Sequence, residues 1–598
     1  MEEREIFYQN KTDEYTRQVS DFKKKIHVIG SIRLGLAIGA GLSLWLFWEK
    51  SGILLAGIVA PFLLLFVVFM IYHNKLFAAK AYTEALVKLN NNEQKALNYD
   101  FSAFDGAPEK SKAEHSFSLD LDLFGPQSFF QSINRTITVL GRERLSQWLL
   151  QPLSDKKEIL KRQEAIREMA AHTPLRQHFY ATGITGESHP SDLHLLEQLF
   201  QEENYFSGKV VWNVLIWLVP AIWLLLILST VTGLASSSVL SIYFLICLIV
   251  AYCKTKKINT LYNTVDKIEH LILKYANLIK CIEKSKPFHS SALQEIRDCL
   301  VSPSESSSAA INRLSSYIKG LNQRLSLAGV ICNILYLRDI RHAILLEKWK
   351  GKYADKTKVW INALAEFEAY SSLGNFAFNH PDYIYPQITD TYFKMEGEDL
   401  GHPLLNRKVC VKNPIDIKKS PSFLIVTGAN MAGKSTYLRT VGINYLLSCI
   451  GAPVCAKRLT VSPASLVTSL RTSDSLSGNE SYFFAELKRL KMIIDRLQKG
   501  EKLFIILDEI LKGTNSIDKQ KGSLALVKQL IDNQSCGIIA THDLVLGTLA
   551  SDFPQQIRNY CFEADIINNE LSFSYQMREG IAQNMNACFL MKKMGITV

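Results

Sequence analysis

Two pairs of long apolar segments limit what this 598-residue chain can fold into. The first pair covers residues 28–48 and 52–72, and the second covers 210–234 and 238–253. Segments of about 20 apolar residues are long enough to cross the hydrocarbon core of a bilayer as helices. Since these are apolar on all sides rather than along one stripe, they favour insertion into lipid over burial in a soluble core.

Basic residues lie outside both pairs, and the short turns within them carry almost no net charge. The basic residues are Lys23, Lys24, Lys25, Lys75 and Lys80 around the first pair, and Lys209, Lys254, Lys256 and Lys257 around the second. The positive-inside rule therefore predicts a multi-pass protein of the cell (plasma or inner) membrane, with both hairpins' ends and all large segments in the cytoplasm. The alternative is two helical hairpins buried in a soluble core.

Composition excludes some classes of protein. The 11 cysteines are scattered and form no C-x-x-C pair, which argues against a zinc site or a disulfide framework. The net charge is +11, and residues 401–598 hold 24 Lys and Arg against 16 Asp and Glu, a balance of +8. This excess suits phosphate-bearing ligands, nucleic acid or an anionic membrane, although a solvated basic surface explains it equally well.

The spacing of apolar residues along the sequence changes near residue 400. Amphipathic helical patterns at 156–171, 258–284 and 309–348 give way to short apolar strands, "SFLIVTG", "LFIILDE" and "GIIATHD", which alternate with helices as in a parallel α/β domain. The predicted division is a cytoplasmic N-terminal segment (1–27), a first hairpin (28–72), a linker with the first part of a helical core (73–209), a second hairpin (210–253), a second helical part of the core (254–390) and an α/β domain (391–598).

A phosphate-binding loop follows the first of these strands. Residues 428–435 read GANMAGKS and fit G-x-x-x-x-G-K-[ST] between a strand and a helix. Gly428 and Gly433 let backbone amides wrap phosphates, and the helix N-terminus adds a positive dipole end. Lys434 is expected to reach the β and γ phosphates of ATP, and Ser435 to ligate Mg²⁺.

Polar residues end the other two strands. Asp508 is predicted to help hold Mg²⁺, Glu509 to polarise the attacking water, and His542 to sense the γ phosphate. Parallel strands bring their carboxyl ends to one sheet edge, so these groups should lie together. Ser481, before an amphipathic helix, is either a helix N-cap or a residue that acts on the γ phosphate of ATP bound to a partner subunit.

These motifs resemble those of the MutS family of mismatch-repair ATPases. The family's TGPNMGGKST is similar to residues 427–436 here, its D-E-I-G-R-G-T-S to residues 508–515, and its A-T-H to residues 540–542. The upstream stretch around "INRTITVLGRERLSQWLLQPL" resembles the family's helical core, and the likeness covers roughly 117–200 and 355–590.

The resemblance implies an ABC-class P-loop ATPase domain of α/β fold at the C-terminal end (391–598), preceded by an all-α core whose second part (254–390) includes the lever. The apolar segments add two transmembrane hairpins to this core. It adds Asn430, Thr436 and Asn413 to the nucleotide-binding residues and implies ATP and Mg²⁺ in a homodimer formed through the ATPase domains. Residues 1–116 leave no room for a mismatch-reading domain, so mismatch reading is not expected, and contact with DNA stays open. Within the motifs, Ala429 replaces proline, and Leu511-Lys512 replaces Gly-Arg.

Two other functions remain as alternatives. A transport-related membrane ATPase of the ABC class would account for four spans and the "LSG" at 476–478. However, no ionisable residue lies mid-span to mark a substrate path. A nucleotide-gated scaffold without DNA binding would not need Glu509.

Overall fold

The computed structural model describes residues 2–49, 52–112, 114–184, 190–253, 255–301, 305–429, 431–471, 482–512, 515–567 and 570–583. Two long helices come first, α1 (Glu2–Phe47) and α2 (Gly52–Leu97), each of 46 residues. At 1.5 Å per residue each is about 69 Å long. They pair side by side, and residues 2–27 belong to the same helix as the first apolar segment.

The polar halves of this pair, residues 2–27 and 73–97, form what we call the stalk. Its two helices run antiparallel, because Thr12 bonds to Asn91 (3.3 Å) and Gln94 donates to Gln9 (3.0 Å). The apolar halves, by contrast, are mostly exposed. By length and hydropathy, three helices in the described residues could cross a membrane: α1, α2 and Val210–Val231. A fourth span arises if the bent pair Ser237–Tyr252 and Lys256–Asn263 counts as one.

Twelve further α-helices occur among the described residues up to 379. They are α3 (Phe129–Ile133), α4 (Val139–Leu150), α5 (Lys156–Ala171), α6 (Thr173–Ile184), α7 (Pro190–Gln201), α8 (Val210–Val231), α9 (Ser237–Tyr252), α10 (Thr255–Glu283), α11 (Ser291–Leu300), α12 (Ser307–Asn322), α13 (Leu327–Tyr336) and α14 (Arg338–Asn379).

The predicted helical pattern at 309–348 is wrong in one respect. The structure breaks it into α12, α13 and the start of α14. Ser326 caps α13 by accepting a hydrogen bond from the Gly329 amide, and Leu337 ends the same helix in the left-handed region, at φ 52°. Apolar periodicity continues across both corners, so the pattern alone does not reveal them. The pattern at 156–171 matches α5.

A buried polar cluster attaches the stalk to the helical core. The Tyr8 hydroxyl donates to Asn379 Oδ1 (2.7 Å), and Asn379 Nδ2 donates to Glu93 Oε2 (2.9 Å). The Arg135 guanidinium forms a two-point ion pair with Glu93. Burial would raise the pKa of Glu93, but Arg135 and the hydrogen bonds outweigh it and lower that pKa. The stalk is therefore held where α14 ends.

The remaining chain forms two sheets. The smaller has the order β1-β5-β2-β3 and the larger β10-β9-β4-β8-β7-β6, in which all strands but β10 are parallel. The strands are β1 (Gln387–Ile388), β2 (Met395–Leu400), β3 (Asn413–Ile417), β4 (Ser422–Gly428), β5 (Arg458–Val461), β6 (Ser465–Ser469), β7 (Leu503–Asp508), β8 (Cys536–Thr541), β9 (Ile557–Ile567) and β10 (Glu570–Glu579).

Four helices accompany these strands: α15 (Lys434–Cys449), α16 (Tyr482–Gln498), α17 (Ser516–Asp532) and α18 (Leu549–Asp552). The three strands predicted from the sequence are the adjacent parallel strands β4, β8 and β7. Nearly all their residues are buried, which explains why they read as continuous apolar runs. A helical region followed by an α/β region is confirmed, while the domain boundaries stay a prediction.

Glu93→Gln should lower the thermal-unfolding midpoint of the purified protein in detergent. The variant leaves the Arg135 charge buried without its partner, which costs about 3–5 kcal/mol. The matched control is Glu14→Gln, because Glu14 forms an exposed pair with Lys11 (2.8 Å) that is worth at most about 1 kcal/mol. Equal midpoints for the two variants would contradict a stabilising role for the buried pair.

Candidate functional site

The loop after β4 has the backbone conformation that a phosphate-binding loop needs. Gly428 and Gly433 have φ of 149° and 107°, and α15 begins immediately after Gly433. A Cβ on Gly428 would lie 2.4 Å from the carbonyl oxygen of Phe562, so only glycine fits there. The first amides of α15 therefore point at the loop with no partner inside the helix.

Lys434 lies inside this loop. Its Nζ donates to the carbonyl oxygens of Gly428 (2.7 Å) and Ala429 (2.9 Å). Burial lowers the pKa of Lys434, although Asp508 and Glu509 act in the opposite direction. A cation held over the loop by two weak carbonyl partners can exchange them for phosphate oxygens.

Ser435 and Asp508 meet at the sheet edge. The Ser435 hydroxyl donates to Asp508 Oδ2 (2.6 Å), and burial raises the pKa of Asp508 against the opposing effect of Ser435. No group of three or more His, Cys, Asp or Glu that could hold a metal occurs among the described residues. A hydroxyl with one carboxylate fits Mg²⁺, which completes its shell with water and phosphate oxygens.

Glu509 lies between two nitrogen groups. His542 Nδ1 and Lys512 Nζ each lie 3.4 Å from one of its carboxylate oxygens. Burial would raise the pKa of Glu509, but Lys512 and His542 lower it by more, so the carboxylate stays ionised near neutral pH.

The position of the proton on the His542 ring is inferred from the neighbour of its other nitrogen. Lys519 Nζ lies 3.3 Å from His542 Nε2, and an ammonium group can only donate. Nε2 must therefore accept, which places the ring proton on Nδ1, facing Glu509. The structure thus brings Lys434, Ser435, Asp508, Glu509 and His542 to one edge of the sheet.

A cleft of about 420 Å³ opens beside these groups. Lys434, Ser435, Thr436 and Glu509 line it together with an apolar set. The apolar set, which sequence reasoning missed, includes Leu405, Val409, Val411, Phe562 and Tyr575. An apolar lining with aromatic rings suits a flat heterocyclic base. No sequence motif marks these residues, because they come from separate elements that only the fold assembles.

Asn413 lines the cleft, but both ends of its amide are engaged. It donates to the carbonyl of Tyr575 (3.0 Å) and accepts from the amide of Met577 (2.8 Å). These bonds hold the irregular part of β10 where Tyr575 has φ 54°. In this structure Asn413 positions the aromatic wall of the cleft, while its predicted direct contact with a nucleotide stays a prediction.

Two predicted site residues, Asn430 and Ser481, lie outside the described residues. The helix that follows Ser481, α16, contributes a residue that the sequence did not suggest. The buried carboxylate of Glu486 accepts from the amides of Leu511 (2.5 Å) and Lys512 (3.2 Å). It therefore fixes the turn that follows Glu509.

Asn413→Ala should weaken binding of ATP about tenfold. Loss of the two bonds to β10 frees Tyr575, and about 1.4 kcal/mol corresponds to a tenfold change in Kd. The measurement is a titration with a fluorescent ATP analogue. The control is Lys412→Ala at the neighbouring exposed position. Unchanged affinity in a folded Asn413→Ala protein would refute this positioning role.

Comparison with known proteins places these features in a family. Residues 117–375 match the family model of MutS domain III, and residues 424–595 match that of MutS domain V. The DNA mismatch repair protein MutS of Natronomonas pharaonis is 32% identical over 225 residues, which are 37% of this chain and 26% of that protein.

Other relatives have similar sequence identity to this chain and similar coverage. Human MutS protein homolog 4 is 29% identical over 216 residues, covering 34% of this chain and 22% of the relative. The DNA mismatch repair protein MutS of Thermotoga maritima is 28% identical over 236 residues, which cover 39% of this chain and 29% of that protein. The chain thus matches only about a quarter of the length of these relatives. Since the two matched domains include the helical core and most of the residues that line the cleft, the chain belongs to the MutS family.

Proposed function

We propose that this protein is a membrane-anchored ATPase of the MutS type, which binds Mg–ATP in the cleft and hydrolyses it. The observation that carries the proposal is the convergence of Lys434, the Ser435–Asp508 pair and the Glu509–His542 pair beside the N-terminus of α15. Each is a group that phosphoryl transfer requires, and they lie at the carboxyl edge of the sheet, where ligands bind in such folds.

The proposed mode of ATP binding follows from the charge and shape of the cleft. The amides at the start of α15 and the Lys434 ammonium would take the phosphates, and the apolar side chains that line the cleft would take the base. Ser435 and Asp508 would hold Mg²⁺, which neutralises charge on the phosphates.

Glu509 is placed to orient the attacking water. Its ionised carboxylate would accept a hydrogen bond from the water, which raises the nucleophilicity of the oxygen, and would take the proton as that oxygen bonds to the γ phosphorus. The bond from the γ phosphorus to the bridging oxygen breaks in the same displacement, and ADP leaves with that oxygen. The His542 Nδ1 proton keeps the carboxylate facing the cleft.

A homodimer through the ATPase domains is part of the proposal. Met431 is 79% exposed at the phosphate end of the cleft, so one subunit leaves that end open to solvent. A second copy would close it, with Ser481 as the candidate residue acting across the interface.

The apolar halves of α1 and α2 support the membrane anchor and a multi-pass location in the cell membrane with the large domains in the cytoplasm. Trp45 is 76% exposed and Ile53 90%, and a soluble monomer rarely shows so large an apolar surface. The transporter alternative gains no support, because residues 117–375 match a MutS domain.

Glu509→Gln should lower kcat for ATP hydrolysis by about 10²–10⁴-fold and leave ATP binding intact, because the amide cannot accept the proton. Phosphate release with excess Mg²⁺ measures the first quantity, and analogue titration the second. Glu501→Gln is the matched control, since Glu501 lies beyond the opposite end of β7 and pairs with Arg496.

A Glu509→Gln protein that turns over at the parental rate would show that the base is misassigned. An unsubstituted protein that binds ATP and does not hydrolyse it would instead favour the nucleotide-gated scaffold.

Contact with DNA is the second candidate, favoured by the match to domain III and by relatives named DNA mismatch repair proteins. We expect the protein to bind duplex, branched or mismatched DNA with an affinity that falls as salt rises, because phosphate contacts release counterions. Fluorescence anisotropy with all three DNAs across a salt series measures this. Absence of binding to all three would exclude the DNA-acting version.

A further inference from the structure

Helix α13 (Leu327–Tyr336) is unusually apolar for a short helix between two polar segments. Its ten residues read LAGVICNILY and contain no charge. At about 15 Å, it is half the length needed to span about 30 Å of hydrocarbon. A helix of this kind can lie in one leaflet but cannot cross a bilayer.

The helix packs on the second hairpin. It contacts both α8 and α9 and also α14. Its Ile334 belongs to the same buried cluster as Trp212 and Ile216 of α8 and Cys247 of α9. The base of this hairpin is therefore joined to the helical core through α13.

The polarity of α13 is inverted relative to a helix on a soluble surface. Its polar residue, Asn333, is 2% exposed and accepts a hydrogen bond from the Asp339 amide (3.1 Å). The solvent-exposed side of α13 carries Ile331, which is 49% exposed, and Leu335, which is 38% exposed. These two residues lie one helical turn apart. A soluble helix would bury the apolar pair and expose the amide.

Helix α8, which α13 contacts, also exposes apolar side chains, among them Val214 and Trp217. Cations border this surface. The Arg341 guanidinium lies 5.2 Å from the centre of the Trp217 ring, and Lys257 lies 5.5 Å from that of Tyr205. Apolar residues bordered by aromatic rings and basic side chains are typical of the boundary between acyl chains and headgroups.

We propose that α13 lies in the cytoplasmic leaflet as a lipid-contacting helix, with Ile331 and Leu335 among the acyl chains and Arg341 and Lys257 near anionic headgroups. The proposal rests on the membrane anchoring proposed above. A second copy of the chain fits less well, because the helix on which α13 packs, α8, has the length and hydropathy of a membrane span, so lipid would already surround this part of the protein.

This placement joins the lipid surface to the rest of the protein. Helix α14 starts at Arg338, directly after the residue that ends α13, and runs about 63 Å to Asn379 in the stalk cluster. The depth of α13 in the leaflet would thus set the position of the helix on which the core is built.

The test uses the full-length protein in vesicles of phosphatidylethanolamine and phosphatidylglycerol. The photo-crosslinking residue p-benzoyl-phenylalanine is incorporated, one position at a time, in place of Ile331, Leu335, Leu228 and Val359. Leu228 lies in the apolar part of α8, and Val359 is a matched exposed position on α14, about 30 Å along that helix from Arg338. After illumination, intact-mass measurement detects the shift of one bound phospholipid.

We expect a phospholipid adduct at Ile331, Leu335 and Leu228 and none at Val359. An adduct at Leu228 but at neither α13 position would overturn the inference and leave the membrane anchor standing. Protein–protein crosslinks at Ile331 and Leu335 in place of lipid adducts would overturn it in favour of a second copy. No lipid adduct at any position would refute the membrane anchor itself.

Discussion

The buried ion pair between Glu93 and Arg135 fixes the stalk relative to everything else. Removing two charges from water is costly, and such a pair is tolerated only when both charges are well satisfied. A slide of α2 by one residue would rotate Glu93 by about 100° and leave Arg135 without its partner. Tyr8 fixes the register of α1 in the same way, because its hydroxyl donates a hydrogen bond to Asn379. The long paired helices are therefore joined to the core in a single register.

A second set of charges connects that core to the nucleotide cleft. Asp122, in the segment before α3, forms a bidentate pair with Arg471 (2.6 and 3.0 Å) and also contacts Arg439 of α15 (3.2 Å). Arg471 immediately precedes the segment that carries Ser481, and α15 carries Lys434 and Ser435. One carboxylate thus ties the segment before α3 both to α15 and to the residue at which the described part of the chain ends before Ser481.

The sequence predicts those parts of the structure whose signal is local. Glycines at 428 and 433, the apolar strands and the carboxylates at their ends sufficed to predict which polar groups meet at one edge of the sheet, since one sheet orders them all. The apolar lining of the cleft was not predictable, because Tyr575 reaches the cleft through an irregular pairing in β10 and through Asn413. The same holds for Glu93 and Arg135, 42 residues apart, and for the corner at Leu337, where apolar periodicity continues although the chain turns.

The departure from the family motif at Leu511 has a physical compensation. Leu511 has φ 59°, a conformation that costs a non-glycine residue roughly 1–2 kcal/mol and that the family's glycine adopts freely. Two features offset this cost. Glu486 accepts from the Leu511 amide, and the Leu511 side chain is buried directly against Gly522, where a Cβ would lie 2.7 Å from Leu511 Cδ1. Burial of a leucine contributes about 1.5–3 kcal/mol. Gly522 of α17 leaves room for the Leu511 side chain. That side chain packs the turn that carries Glu509 and Lys512 against α17.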